Sequence, residues 1–173
     1  MTVDFSLPRC PLFTDLTPME VDSVLALVER NEFPSGELLI TEGKRTRMLW
    51  ILLNGRCQVL KHSASGGEHE LAVVEAGGVF GEMSFFQDLP HSASVRSLTS
   101  IEVLQLSYEK FEQIELSGSR AAYKVVRNLL RIVSERLRRM DEWTCQLVNH
   151  QADDTRREEW LDFRSKLYTG WNF

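Results

Sequence analysis

Cysteine is scarce and scattered: Cys10, Cys57 and Cys145 are an odd set without a C-x-x-C pair. No disulfide framework is expected from them, and they read as reduced thiols of a cytoplasmic protein. Long apolar runs are missing too; none approaches the ~18 residues of a membrane span. Residues Met1 to Cys10 lack both a basic start and an apolar stretch, so no secretory signal is visible. There is no G-x-S-x-G elbow, no Walker loop and no metal-spaced His/Cys cluster. The four histidines, His62, His69, His91 and His150, form no readable metal site. Internal repeats and low-complexity tracts are likewise lacking. The expectation is a cytoplasmic chain that is not an enzyme, with no catalytic residues, no metal, no cofactor and no membrane partner.

What is present is ordinary globular material: 173 residues, 43% hydrophobic and 26% charged. That length makes one domain, or one domain with an appendage, and buries a core without staples. The net charge of −5 conceals an asymmetry. Residues 120–140 carry seven bases (Arg120, Lys124, Arg127, Arg131, Arg136, Arg138, Arg139) against Glu135 alone. This local +6 leaves −11 for the rest of the chain.

Helix signals open the readable chain. Thr17-Pro18-Met19-Glu20 is a capping box with proline at the first helical position, and Leu16 with Val21 fits a hydrophobic staple. Val21, Val24, Leu25 and Val28 then predict an amphipathic helix over Pro18 to Arg30. After Phe33-Pro34-Ser35-Gly36 the pattern turns to short β-rich runs: Leu38–Thr41, Met48–Leu53, Gln58–Lys61, His69–Val74, Ser92–Leu98 and Ile101–Leu106. Asn54-Gly55 reads as a two-residue hairpin. Strands spaced by roughly 8–12 residues, without intervening long helices, predict an antiparallel sandwich or barrel and exclude a Rossmann-type sheet.

A short helix is predicted over Tyr108–Glu115 and a long one over Arg120–Asn149. On the latter, Val126, Leu130, Val133, Leu137, Met140, Thr144 and Leu147 alternate at spacings of four and three. Six of these seven are apolar, a heptad seam that points to a homodimer through residues 120–149; the competing reading is a helix lying on its own β-domain. From Gln151 onward, Trp160, Phe163 and Leu167 fit either a short docked helix or a tail.

The most informative stretch is Gly77-Gly78-Val79-Phe80-Gly81-Glu82-Met83-Ser84-Phe85-Phe86, followed by Pro90-His91-Ser92-Ala93-Ser94-Val95. It resembles the phosphate-binding cassette of the cyclic nucleotide-binding domain family, of the catabolite-activator and protein kinase A regulatory subunit type. Leu12-Phe13, Leu16-Thr17, Phe33-Pro34-x-Gly36, Glu42-Gly43, the Leu49–Leu53 run with Asn54-Gly55, and Ser134–Glu142 extend the similarity over residues 11–142. The resemblance implies a mainly β fold with flanking helices: a double-stranded β-helix, or jelly roll, with a long C-terminal helix. The implied organisation is an N-terminal helix plus β-roll over 1–118, its cassette at about 78–94, the dimer helix over 119–149 and a tail over 150–173.

The physics of such a cassette is local. Gly81 lets the backbone approach a ligand, and free N–H groups at a helix start suit a phosphate monoanion. By resemblance, Glu82 accepts from the ribose 2′-hydroxyl, while Met83 and Ser84 continue the turn. Ser92 would give its hydroxyl and Ala93 its N–H to phosphate, and Arg136, Met140 and Asp141 of the long helix would approach ribose and base. The implied ligand is cyclic AMP or cyclic GMP. One departure matters most: the family has arginine where His91 stands. A neutral, shorter imidazole forfeits the planar charged fork. Loss of such a contact costs about 2–5 kcal/mol, roughly 30- to several-thousand-fold in affinity. His91 is then either a ligand-binding histidine or the mark of a degenerate pocket. Arg96 does not stand in for the arginine and reads as a strand residue.

Two function classes follow: a regulatory sensor acting on a separate effector protein, or a ligand-independent dimerisation and interaction domain. The 24 residues after Asn149 are too few for the helix-turn-helix domain that transcription factors of this family carry, and their acids would repel DNA phosphates. DNA is therefore not an expected partner.

Overall fold

A computed structural model describes residues 10–63 and 66–151. The chain divides into two compact units, Met1–Leu129 and Leu130–Phe173. Among its described residues the first opens with a single 3₁₀ turn, Pro11–Phe13, and helix α1, Pro18–Leu25. The capping box forms as read: Thr17 Oγ1 accepts the Glu20 N–H and Glu20 Oε2 accepts the Thr17 N–H at 2.7 Å.

The helix stops at Leu25, short of the expected Arg30, because Glu29–Phe33 forms strand β1. Among the described residues seven more strands follow β1: β2 (Leu38–Ile40), β3 (Met48–Asn54), β4 (Arg56–His62), β5 (Glu68–Glu75), β6 (Val79–Phe80), β7 (Ser94–Ser97) and β8 (Ile101–Ser107). They make two four-stranded sheets, ordered β1-β8-β3-β6 and β2-β7-β4-β5, with every pairing antiparallel. First strand pairs with last and second with last but one, which is a jelly-roll topology.

This pairing corrects the reading of Asn54-Gly55. The turn connects β3 to β4, but these strands lie in different sheets, so it is a corner rather than a hairpin. Gly55 has φ 85°, and a Cβ there would collide with Ser100 and Thr99, so the close crossing of chains demands glycine.

Between the sheets lies a core of Ile40, Trp50, Leu52, Cys57, Phe80, Val95, Ile101 and Val103. The opposite parity on β3 and β8, Leu49, Ile51, Leu104 and Leu106, is equally buried. Helix α2 (Glu82–Phe85) packs on β3 and helix α3 (Tyr108–Leu116) on β8, so both faces of these strands are covered. Cys10 and Cys57 are buried, which pushes both thiols up to about 11 and leaves them protonated at neutral pH.

Helix α4 runs Arg120–Gln151. Within the first unit its Ala121, Ala122, Val125, Asn128 and Leu129 are buried, and Asn128 Nδ2 donates to the Leu12 and Thr14 carbonyls at 2.9 and 2.7 Å. Lys124 reaches Glu20 at 2.5 Å and holds that carboxyl down at about 2, helped by the Thr17 N–H. In the second unit Glu135 pairs with Arg139 at 3.1 Å one turn on. The segment after Gln151, with its alternatives of docked helix or tail, lies outside the described residues.

Candidate functional site

The cassette occupies the connection between β6 and β7. Gly81 caps α2 with φ 84°, and a Cβ there would sit on the Met48 carbonyl oxygen and 3.2 Å from Trp50 Cδ1. Glycine is thus required twice, by backbone conformation and by space. Helix α2 is anchored from below by rings. Phe85 stands edge-on to Tyr108 and Phe111, at 5.6 Å from each, and Phe86 meets Phe111 at 5.6 Å.

Arg47 secures the end of this turn. Its Nε donates to the Phe85 carbonyl at 2.9 Å and its Nη2 to Phe86, while its guanidinium lies 3.2 Å over the Tyr108 ring. The cation therefore meets the C-terminal carbonyls of α2, where positive charge is favourable. Arg45 donates to the Asp88 carbonyl in the following turn, and Asp88 itself adopts φ 49°.

His91 is drawn inward, 5% exposed. Its Nδ1 shares a hydrogen bond with Ser84 Oγ at 2.9 Å and its Nε2 with Thr46 Oγ1 at 2.5 Å. Its main chain is held as well: the N–H donates to the Lys44 carbonyl at 2.8 Å and the carbonyl accepts from Gly43 at 2.9 Å. Three of these hydrogen bonds tie the cassette, through one residue, to the β2–β3 loop, and the fourth, to Ser84, lies within the cassette. Burial pushes the imidazole pKa below its ordinary value, so the ring is neutral at pH 7. Both ring nitrogens are satisfied by protein hydroxyls.

Beyond His91 the chain returns to the surface. Ser92 is exposed, with its Oγ 3.4 Å from Met83 Sδ, and Ala93 is half-buried. Glu82 is half-buried and Met83 exposed. The structure therefore brings Gly81, Glu82, Met83, Ser84, His91, Ser92 and Ala93 together in one cassette. Arg136, Met140 and Asp141 belong to the second unit, where Arg136 and Met140 are exposed and Asp141 is half-buried. Arg96 is a strand residue, as read, forming a two-pronged pair with Glu68 at 3.1 and 3.4 Å.

Several contributors were not evident from sequence. Thr46 and Arg47 come from the loop before β3, 45 and 38 residues from their cassette partners. Glu42 and Lys61 bracket the start of β7: Glu42 N–H donates to Ser94 Oγ, and Lys61 Nζ donates to the Ser92 carbonyl at 2.5 Å and to Glu42 at 2.6 Å. Glu42 also accepts the His62 N–H at 2.9 Å. That N–H, Lys61 and the His62 ring together hold the Glu42 carboxyl down at about 2. Among the described residues no cluster of three or more metal-ligating side chains occurs, and no helix is long and apolar enough to cross a membrane.

Comparison with known proteins agrees with this geometry. The cyclic nucleotide-binding domain pattern matches residues 30–116, half of the chain. The chain is 31% identical to the cyclic AMP receptor protein of Thermus thermophilus over 131 residues, 76% of this chain and 59% of that protein. It is 29% identical to the cAMP-dependent protein kinase regulatory subunit of Emericella nidulans over 108 residues, 62% of this chain and 26% of that one. The crystal structure of a cyclic nucleotide-binding domain from Methylobacillus flagellatus superposes with a TM-score of 0.73 at 26% identity, covering 82% of this chain and 79% of the other. The chain thus spans less than two thirds of either of these full-length relatives. With its jelly roll, its glycine-dependent cassette turn and its matched residues 30–116, it belongs to the cyclic nucleotide-binding domain family.

Proposed function

We propose that this chain is a cyclic nucleotide-binding regulatory module that takes cyclic AMP or cyclic GMP in the cassette Gly81–Ala93 and signals to a separate effector protein. The observation that carries the reading is the preserved cassette turn inside a matched family domain: Gly81 is held in a conformation and a space that admit no side chain. Glu82 remains in place to accept from a ribose hydroxyl, and Ser92 and Ala93 remain for the phosphate. His91 supplies no permanent charge, so affinity is lower than an arginine-bearing cassette gives.

The module works as a homodimer in this reading. Tyr123, Val126, Leu130, Val133, Leu137 and Met140 are exposed along α4 at alternating spacings of three and four. An apolar stripe of that period fits a second helix of the same kind. The setting is cytoplasmic.

Isothermal titration with cyclic AMP, cyclic GMP and cyclic di-GMP tests the reading. Micromolar or tighter binding of one of them, lost in Glu82→Gln or Ser92→Ala, is the expected result. One observation favours a second reading, a ligand-independent interaction domain: both ring nitrogens of His91 are taken by Ser84 and Thr46 rather than turned toward a phosphate site. Silence toward all three nucleotides at millimolar concentration decides for it.

A further inference from the structure

The charge of a cyclic phosphate needs an answer in this pocket, and His91 faces away from the task. Arg45 and Arg47 touch the cassette, but on the carbonyls of Phe85, Phe86 and Asp88, where they close the end of α2. Lys61, near the end of β4, comes to the other side. Its ammonium lies 2.5 Å from the carbonyl of Ser92, the residue directly after His91. It is therefore a cation placed one residue from where the family's arginine leaves the chain, beside the hydroxyl and N–H assigned to phosphate.

We propose that Lys61 is the phosphate-facing cation of this site, replacing the missing arginine from a different strand; this rests on the cyclic-nucleotide reading above. An ammonium has three N–H donors, and here two are engaged, one by Ser92 and one by Glu42. The third remains for a ligand oxygen. The side chain is 45% exposed, so a ligand can reach it. Its four-carbon stem lets the head turn without moving the strand. Glu42 does not depend on Lys61 either: it keeps the His62 N–H and the His62 ring as partners at 2.9 and 3.1 Å. Glu42 thus acts as the placeholder counter-ion that a cyclic phosphate displaces. A point charge of this kind recognises an anion without the two-pronged fit of a guanidinium, so it neutralises without dictating phosphate orientation.

The test is titration of cyclic AMP, cyclic GMP and adenosine into the wild-type chain and into Lys61→Met, Lys61→Arg and Glu42→Gln, each first checked to be folded by a cooperative thermal unfolding transition. Lys61→Met should weaken the preferred cyclic nucleotide by about tenfold or more, yet leave adenosine, which carries no phosphate, within about twofold. Lys61→Arg should keep most of the affinity. Glu42→Gln should tighten cyclic nucleotide binding several-fold, because it removes a competing anion and frees the ammonium. The wild-type affinity should fall with added salt, and that slope should flatten in Lys61→Met. Unchanged cyclic nucleotide affinity in Lys61→Met overturns the inference, as does an equal loss for adenosine, which marks a merely structural lysine. Should Lys61→Met unfold, Lys61→Gln takes its place with the same criteria. Silence of the wild-type chain toward both cyclic nucleotides is a separate outcome: it overturns the parent reading, and this inference with it.

Discussion

His91 Nδ1 and Ser84 Oγ, seven residues apart in the chain, meet at 2.9 Å in the buried floor of the cassette. His91 is thus a brace within the cassette itself, with Thr46 on its other nitrogen.

Removing that brace should cost stability. His91→Ala leaves two hydroxyls without their partner and a gap behind α2, a loss of about 1–3 kcal/mol. Urea unfolding of His91→Ala, Ser84→Ala and the double variant measures it. The double variant should lose less than the sum of the single losses, since both remove the same contact.

The same imidazole should give a pH signature. Its folded pKa lies below the ordinary ~6.5, so the folded state binds fewer protons than the unfolded one. The contribution is full above ~6.5 and is lost as pH falls through that value toward the depressed folded pKa. Unfolding free energies measured from pH 8 down to pH 5 should decline, and His91→Gln should flatten the decline. The Glu20 and Glu42 carboxyls, both held at about 2, act in a separate window: their contributions begin to fade below ~4.5.

Placing arginine at position 91 should trade one property for another. His91→Arg is expected to raise cyclic nucleotide affinity at least ~10-fold by supplying a permanent charge and a fork. It should also lower the melting temperature, because Ser84 and Thr46 lose their shared partner. Calorimetric titration beside a thermal melt separates the two effects, and an unchanged affinity would mean that the arginine stays in the brace position.

Gly81→Ala should be among the more harmful small substitutions. It forces a β-carbon against the Met48 carbonyl at φ 84°. A loss above ~1 kcal/mol is expected, together with weakened ligand binding. Gly43→Ala is the control: its φ is also positive, but open space surrounds it, so strain acts there without collision.

Leu130→Glu with Leu137→Glu should give a monomer in sedimentation velocity. Both leucines are more than half exposed in the single chain, so the change spares the core. A persisting dimer would refute the seam.

How far the sequence could be read depends on the range of each interaction. The Thr17–Glu20 box is a contact over three residues and was legible, as were the strands between residues 38 and 107 except the two-residue β6, whose Val79–Phe80 is too short to show a period. Strand β1 was not: Glu-Arg-Asn-Glu-Phe lacks strand composition, and its support is β8, with Arg30 paired to Glu102 and Asn31 bonded to Gln105. Asn54-Gly55 showed the sharp turn correctly but not that its two strands would part into different sheets. The cassette was visible as a motif, whereas the partners Thr46 and Lys61 became its neighbours only through folding. No local pattern announces that a histidine will turn inward.

The pairing of first strand with last also has a consequence for biogenesis. The partner of β1 lies some seventy residues further along, and β2 waits almost as long for β7. At the ~5–20 residues per second of synthesis, several seconds pass before either early strand can be sealed. The roll therefore closes from its outer strands only after its C-terminal half has been made. Its folding should be slow for its size, in keeping with a topology dominated by distant contacts.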